Sequence, residues 1–187
     1  MKYAEIRKLD SANGPGIRVS LFVTGCNIKC PGCFNKELQD FEYGKEFTLS
    51  TLNEIFEYLK HPHVRGLTIL GGEPFSAPNT RVVAIIVQEV REMFPEKDIW
   101  CYTGYRLEDL KYFHLMGHNR SFPTIREKEN SVNIKSILKN IDVLVDGPFI
   151  QESKRPGLRF KGSSNQRIID MKKTIEQNKI ILSKYND

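Results

Sequence analysis

Cys26, Cys30 and Cys33 stand in the segment Thr24-Gly25-Cys26-Asn27-Ile28-Lys29-Cys30-Pro31-Gly32-Cys33-Phe34, and they are three of the four cysteines in the chain. Three neighbouring thiols cannot all pair among themselves. Thiolates gathered on one loop suit soft metals: iron–sulfur clusters, zinc or Cu(I). A cubane or a tetrahedral ion normally takes four ligands. Either a fourth protein ligand lies elsewhere, or one metal is left open for chemistry. Structural zinc would use the Cys30-x-x-Cys33 spacing of zinc ribbons. No second such pair exists, and Cys101, the remaining thiol, sits between Trp100 and Tyr102 where a buried inert cysteine is the common case. Dithiol redox chemistry at Cys30 and Cys33 would leave Cys26 unexplained. A [4Fe–4S] cluster with three thiolates and one open iron uses all three.

The elements that must position these thiols follow an alternating pattern. Arg18 to Val23 reads as a strand running straight into Gly25-Cys26. Thr48 to Lys60 reads as a helix with capping-box spacing at Thr51 and Glu54, and Leu52, Ile55, Phe56 and Leu59 on one apolar face. Gly66 to Leu70 is a second strand, ending in Gly71-Gly72-Glu73-Pro74. Asn79 is placed to cap a helix through Met93, closed by Pro95. Asp98 to Tyr102 is a third strand, ending in Thr103-Gly104-Tyr105, with a short helix from Leu107 to Phe113 behind it. The polar stretch His114 to Ser131 reads as an irregular surface insertion, and Val132 to Asn140 as a helix. Asp142 to Val145 is a fourth strand, ending in Asp146-Gly147-Pro148. Beyond it, Arg167 to Met171 and Lys179 to Leu182 read as two short strands around Gln177-Asn178, with a single helix as the alternative.

Such alternation predicts an α/β fold with a mainly parallel sheet. In parallel α/β folds ligands sit beyond the carboxyl ends of the strands. Each of the four strands ends in glycine-containing punctuation, so the cysteine loop and the Gly71-Gly72-Glu73-Pro74 turn are expected to be neighbours.

With 187 residues, no repeat and no low-complexity linker, the chain reads as a single domain, 1–187. No apolar run approaches the ~20 residues of a membrane span, and the first residues carry no secretory signal. A cytoplasmic setting, which keeps thiols reduced, is therefore expected. The formal net charge of +5 fits a lysine-rich surface or an acidic partner. The basic residues are densest from Lys154 to Lys173, without an arginine-rich block or an RNP-type aromatic motif, so no nucleic-acid partner is expected. His61, His63, His114 and His118 have no metal-ligand spacing and read as surface residues.

The string Cys26-x-x-x-Cys30-x-x-Cys33 followed by Phe34 resembles the signature of the radical S-adenosylmethionine family. Asn13-Gly14-Pro15-Gly16-Ile17-Arg18 is similar to a segment of the activases of glycyl radical enzymes, and Gly71-Gly72-Glu73-Pro74 to the family's Gly-Gly-Glu/Asp-Pro motif. Three further segments narrow the resemblance to activases of the anaerobic ribonucleoside-triphosphate reductase: Lys97 to Tyr105, Asp142 to Gly147, and Gly162 to Arg167. Phe34 departs from the tyrosine common there, keeping the ring without its hydroxyl. The stretch 114–131 looks longer than usual, and the tail extends past the shortest members.

The resemblance implies a partial, open (β/α) barrel of radical SAM type, with its core over about 10–167, a surface insertion at 114–131 and a C-terminal extension at 168–187. It implies an oxidoreductase with one [4Fe–4S] cluster per chain, held by Cys26, Cys30 and Cys33, and S-adenosylmethionine on the fourth iron. One electron would cleave that ligand to methionine and a 5′-deoxyadenosyl radical, which would take hydrogen from a glycine of the reductase. Gly32, Cys33, Phe34, Gly71, Gly72, Glu73, Pro74 and Thr103 are the implied ligand-binding residues. Glu73 would accept from the ligand's ammonium. Phe34 would pack near the adenine or in the core. Thr103 would bond a ribose hydroxyl or its own turn. Asp146 is a candidate ligand contact or a turn cap, and Asn13 to Arg18 an entry edge for the glycine loop or a tight turn. The implied partners are the large subunit of the reductase and a low-potential electron donor such as flavodoxin. An activase of the pyruvate formate-lyase type and a non-catalytic zinc-binding module are the alternatives.

Overall fold

Seven strands form one sheet in the computed structural model, which describes residues 1–110 and 125–186. In chain order the elements are β1 (Lys2–Asp10), β2 (Ile17–Val23), β3 (Lys45–Glu46), α1 (Leu49–Leu59), β4 (Val64–Gly71), α2 (Ala77–Met93), β5 (Asp98–Tyr102), α3 (Ile125–Asn140), β6 (Val143–Asp146), β7 (Arg167–Asp170) and α4 (Met171–Glu176). The sheet order is β3-β1-β2-β4-β5-β6-β7, and the sheet is open. The central strands β2, β4, β5 and β6 are parallel, as the alternating pattern predicts. Antiparallel strands close both sides: β1 and β3 beside β2, and β7 beside β6.

Side chains alternate between the two faces of each strand. Val19, Leu21 and Val23 share one face with Leu67, Ile69, Ile99, Cys101 and Leu144, and helices cover it. The expected apolar stripe of α1 (Leu52, Ile55, Leu59) joins this core, with Phe56 packed at its edge. So does the stripe of α2, with Val83, Ile86, Val87 and Val90 fully buried. Each such aliphatic side chain contributes about 2 kcal/mol by leaving water. The opposite face carries Phe22, Leu70, Trp100, Tyr102, Val143 and Val145, with Leu38 from the helical turn Lys36–Gln39 packed on Phe22 and Leu70. That face and the carboxyl ends of the parallel strands frame the site.

Several local expectations are corrected. Strand β1 was not anticipated, because Lys2 to Asp10 shows no apolar alternation; its pairing with β2 (Ile6 opposite Leu21, Asp10 opposite Arg18) supplies the order its own pattern lacks. The capping box of α1 lies one turn earlier than expected. The Thr51 amide donates to Thr48 Oγ1 (3.3 Å), and the Thr48 amide donates to Thr51 Oγ1 (3.2 Å). Glu54 instead accepts from the Tyr58 hydroxyl (2.7 Å). Helix α2 starts at Ala77 with Pro78 in its first turn, where proline's fixed φ is favourable, so Asn79 lies inside the helix rather than capping it.

Residues 125–131, expected to be irregular, are the first turns of α3. Arg, Glu and Lys are good helix formers, and Lys128 and Glu129 are exposed on this helix. Ile134, Ile137 and Leu138 of α3 join the core. The rest of the expected insertion, 114–124, and the end of the short helix after residue 110 lie outside the described residues. In the tail the first expected strand is β7. The second is reduced to one bridge, Leu182 opposite Ile169, after the helical turn α4.

Candidate functional site

The four glycine-containing strand ends converge, and the point of convergence is a cavity of about 610 Å³. Cys26 and Cys30 come to it from the β2 loop, Gly71, Gly72 and Glu73 from the end of β4, Thr103 and Gly104 from the end of β5, and Gly147 from the end of β6. Its floor is the second face of the sheet, through Phe22, Leu70 and Tyr102.

The β2 and β4 ends are joined through their backbones. The Gly72 amide donates to the Val23 carbonyl (2.7 Å), and the Glu73 amide to the Gly25 carbonyl (2.8 Å). This contact explains the glycine pair. A Cβ on Gly71, whose φ is +109°, would meet the Val23 carbonyl oxygen at 2.6 Å. One on Gly72 would meet the carbonyl oxygens of Gly25 and Leu38 at 2.7 and 2.8 Å. The close approach these glycines permit is thus to the base of the cysteine loop, a demand of the protein itself.

Cys26, Cys30 and Cys33 are half-buried and all are free thiols. The Cys33 amide donates to the Cys30 carbonyl (3.2 Å), and the Cys26 amide to the Gln39 carbonyl (3.1 Å), so the loop is pinned at both ends. Burial pushes the Cys26 and Cys30 thiols up, against backbone amides that favour the thiolate. Cys101 is wholly buried in the core on the opposite face of the sheet, with its thiol also pushed up by burial. It is the inert cysteine of the two readings given for it. Among the described residues no three His, Cys, Asp or Glu side chains converge on a single ion. A cubane takes each thiolate on a different iron.

Glu73 is 1% exposed. Its Oε1 accepts from the Phe75 amide and the Thr103 hydroxyl, both at 2.9 Å, and its Oε2 accepts from the Gly104 amide at 2.8 Å. Burial outweighs these three donors and pushes its carboxyl up to about 7. The carboxylate therefore ties the end of β4 to the end of β5. Each carboxylate oxygen has two lone pairs, so Oε2 keeps room for one more donor from the cavity. Thr103 also accepts from the Tyr105 amide (3.1 Å), so its hydroxyl is engaged within the site and its turn. Pro74 is buried behind the turn.

Phe34 is 61% exposed, which removes the core-packing reading. Its ring lies 5.0 Å from that of Phe149 and lines the cavity. Gly32 and Cys33 lie beside it on the loop, outside the cavity lining. Asp146 is fully buried and engaged: it accepts from Arg167 on both oxygens and from the Leu107 amide (2.8 Å). It is a cap and an ion-pair partner, not a ligand contact. Arg18 is buried at the amino ends of the strands, far along β2 from the cysteine loop, while Asn13 reaches the cavity lining.

Sequence reasoning missed Asn79. It is buried, and its Nδ2 donates to the carbonyls of Thr24 (2.9 Å) and Glu73 (3.0 Å). One side chain thus fastens the residues just before Cys26 to the turn that carries Glu73. The available signal was an amide side chain in the apolar run of α2, five residues past the Gly-Gly-Glu-Pro turn, and it was read as a cap.

The model of the 4Fe-4S single cluster domain matches residues 12–169. The anaerobic ribonucleoside-triphosphate reductase-activating protein of Enterobacteria phage T4 is 36% identical over 168 residues, covering 90% of this chain and 93% of that protein. The chain belongs to this family of activating proteins. The protein of the same name from Vibrio cholerae is 38% identical over 170 residues, covering 90% of this chain and 97% of its own. That from Escherichia coli K12 is 35% identical over 168 residues, covering 89% and 96%. The cysteine loop lies inside the matched cluster domain. Among the described residues no helix is long and apolar enough to cross a membrane.

Proposed function

We propose that the chain activates an anaerobic ribonucleoside-triphosphate reductase, holding a [4Fe–4S] cluster on Cys26, Cys30 and Cys33 and S-adenosylmethionine in the cavity beside it. Cys26, Cys30 and Cys33 would hold the cluster, which would supply the one electron needed to cleave S-adenosylmethionine to methionine and a 5′-deoxyadenosyl radical, the species that would take a hydrogen atom from a glycine Cα of the reductase. The observation that carries this reading is a cavity at the strand ends lined by Cys26 and Cys30, the Gly71-Gly72 turn and the buried Glu73 carboxylate, with the free thiol of Cys33 on the same loop.

The chain's own residues bind and orient. Glu73 meets the ligand's ammonium through the open position on Oε2, and a charge-assisted bond there stabilises the ionised carboxylate. Thr103 and Gly104 hold that carboxylate in place. Gly71, Gly72 and Pro74 shape the turn, and Gly32, Cys33 and Phe34 form the side of the site towards the adenine. Phe22, Leu70 and Tyr102 keep the floor apolar and exclude water. Near-attack placement of the glycine carbon is the main contribution such a scaffold makes. A low-potential donor such as flavodoxin supplies the electron, and the cytoplasm is the compartment that keeps the thiols reduced.

Anaerobically reconstituted protein, reduced and mixed with S-adenosylmethionine and the reductase, should give a glycyl radical EPR doublet on the reductase. A doublet on pyruvate formate-lyase and not on the reductase would reassign the partner. A colourless protein retaining one zinc would overturn the cluster.

A further inference from the structure

The basic stretch that the sequence shows after Lys154 has no role in the site described above. The structure places it at the cavity mouth. Between β6 and β7 the chain forms one wall of the cavity, with Phe149, Leu158 and Phe160 facing inward. The outer turn of this wall carries Lys154, Arg155 and Arg159, all exposed. From Lys154 to Lys161 there is no acidic residue.

These cations are partnered differently from four other arginines. Arg18, Arg65, Arg91 and Arg167 each meet an aspartate. Arg155 donates instead to carbonyls of its own turn, those of Glu152 (2.8 Å) and Lys154 (2.9 Å). The Arg159 guanidinium lies 5.2 Å from the Phe160 ring, and the Lys154 ammonium 4.7 Å from the Phe34 ring. Among the described residues none of the three is paired with a carboxylate. The turn also stands clear of the body: a Cβ on Gly157 would meet nothing within 4 Å. Three cations whose charge is not neutralised, on a projecting turn beside an exposed aromatic ring, form a rim.

We propose that this rim, residues 154–161, docks an acidic segment of the reductase that flanks the glycine entering the cavity. The assignment of the partner rests on the function proposed above. The physical case rests on position and charge. The polypeptide that carries the target glycine must pass this mouth, and unpaired cations there act on that encounter more than on the ligand inside. Phe34 and Ile150, both exposed beside the turn, supply apolar contact around the charges. Complementary charge at such a rim raises the association rate and makes it salt-dependent, while leaving the chemistry within unchanged.

The test uses full-length, cluster-loaded protein and its reductase. R155E/R159E should cleave S-adenosylmethionine without reductase as the parent does. Its initial rate of glycyl radical formation at low salt should fall about tenfold, with most of the parent's salt dependence lost. R155K/R159K, which keeps the charges, should stay near the parent. Polyglutamate should inhibit radical formation by the parent and not by R155E/R159E. Equal rates and equal salt dependence in R155E/R159E would overturn the rim. Loss of reductase-free cleavage in R155E/R159E would overturn it too, by assigning the arginines to the ligand site. Salt-sensitive binding of a single-stranded oligonucleotide, lost in R155E/R159E while reductase activation is untouched, would assign the rim to nucleic acid instead. Absence of the doublet with the parent protein would be a different failure, that of the proposed function itself.

Discussion

The two ends of the parallel strands are built on opposite principles. At the amino ends, charges are paired off, and Arg18 among them is fully buried. Arg18 donates to Thr68 Oγ1 (2.7 Å) and the Leu67 carbonyl (2.8 Å) and pairs with Asp98 at 2.5 Å, while Arg65 takes the other Asp98 oxygen. Lys97 donates to the carbonyls of His61 and Val64, and Arg91 and Lys172 share Asp142. At the carboxyl ends there is a cavity, three free thiols and a carboxylate displaced to about 7 by burial without a cation. One end satisfies its polar groups and fixes the strands. The other leaves groups in need of a partner, which is the condition of a site that binds. Asn79 links the two economies, a satisfied core amide whose donors reach the site end.

The contrast can be broken most forcefully at Arg18. Arg18→Met should lower stability by about 3 kcal/mol, because Asp98 and the Thr68 hydroxyl lose a buried partner. Urea unfolding of the cluster-free protein would measure it. S-adenosylmethionine cleavage per folded, loaded molecule should stay near the parent value. A loss of cleavage without a loss of stability would erase the distinction between the two ends.

Asn79→Ala should cost about 2 kcal/mol by leaving buried carbonyls without a donor. Unlike Arg18→Met, it should also loosen the site: hydrogen exchange at the Gly72 and Glu73 amides should quicken more than at the centre of β4. Uniform quickening along β4 would make Asn79 a core residue only.

Glu73→Gln tests the carboxyl end by pH. A carboxyl whose folded pKa is raised to about 7 contributes stability that is full below its unfolded value of 4.5 and is lost as pH rises through about 7. The cluster-free parent should therefore lose stability relative to Glu73→Gln between pH 5 and pH 8. A constant difference across that range would show that Glu73 is ionised throughout. The smallest effect is expected at Glu108, half-exposed and drawn down to about 2 by its hydrogen bond to Arg167. Its pairing is stabilising above pH 4.5 and lost as pH falls towards 2. Glu108→Gln should cost about 0.5 kcal/mol at neutral pH, since solvent screens such a pair.

Much of this plan was legible in the sequence because period and punctuation agree. Arg18 to Val23 and Gly66 to Leu70 read as strands, and each ends in a glycine signal that the fold brings to one place. The cysteine spacing narrows the thiol chemistry to a cluster, zinc or dithiol redox, and the resemblance of the surrounding motifs selects the cluster. What stayed hidden depends on contacts distant in sequence. Lys2 to Asp10 becomes a strand only because β2 offers it an edge. Asn79 looks like a cap, and only Pro78 in the first turn and the carbonyls of Thr24 and Glu73 show that it lies inside the helix. Phe34 reads equally as core packing or as a neighbour of the adenine until its exposure, and Phe149 beside it from more than a hundred residues away, remove the core reading. Asp146 looks available for a ligand until Arg167 is seen to fill it.

The central claim is that the carboxyl end holds a cluster on three thiolates, with one iron left for a ligand. It is tested most directly by EPR of the anaerobically reconstituted, reduced protein with and without S-adenosylmethionine. The account predicts about four irons per chain, a reduced-cluster signal that shifts when the ligand is added, and loss of that signal in Cys26→Ala. A signal indifferent to the ligand, or one that survives in Cys26→Ala, would contradict it.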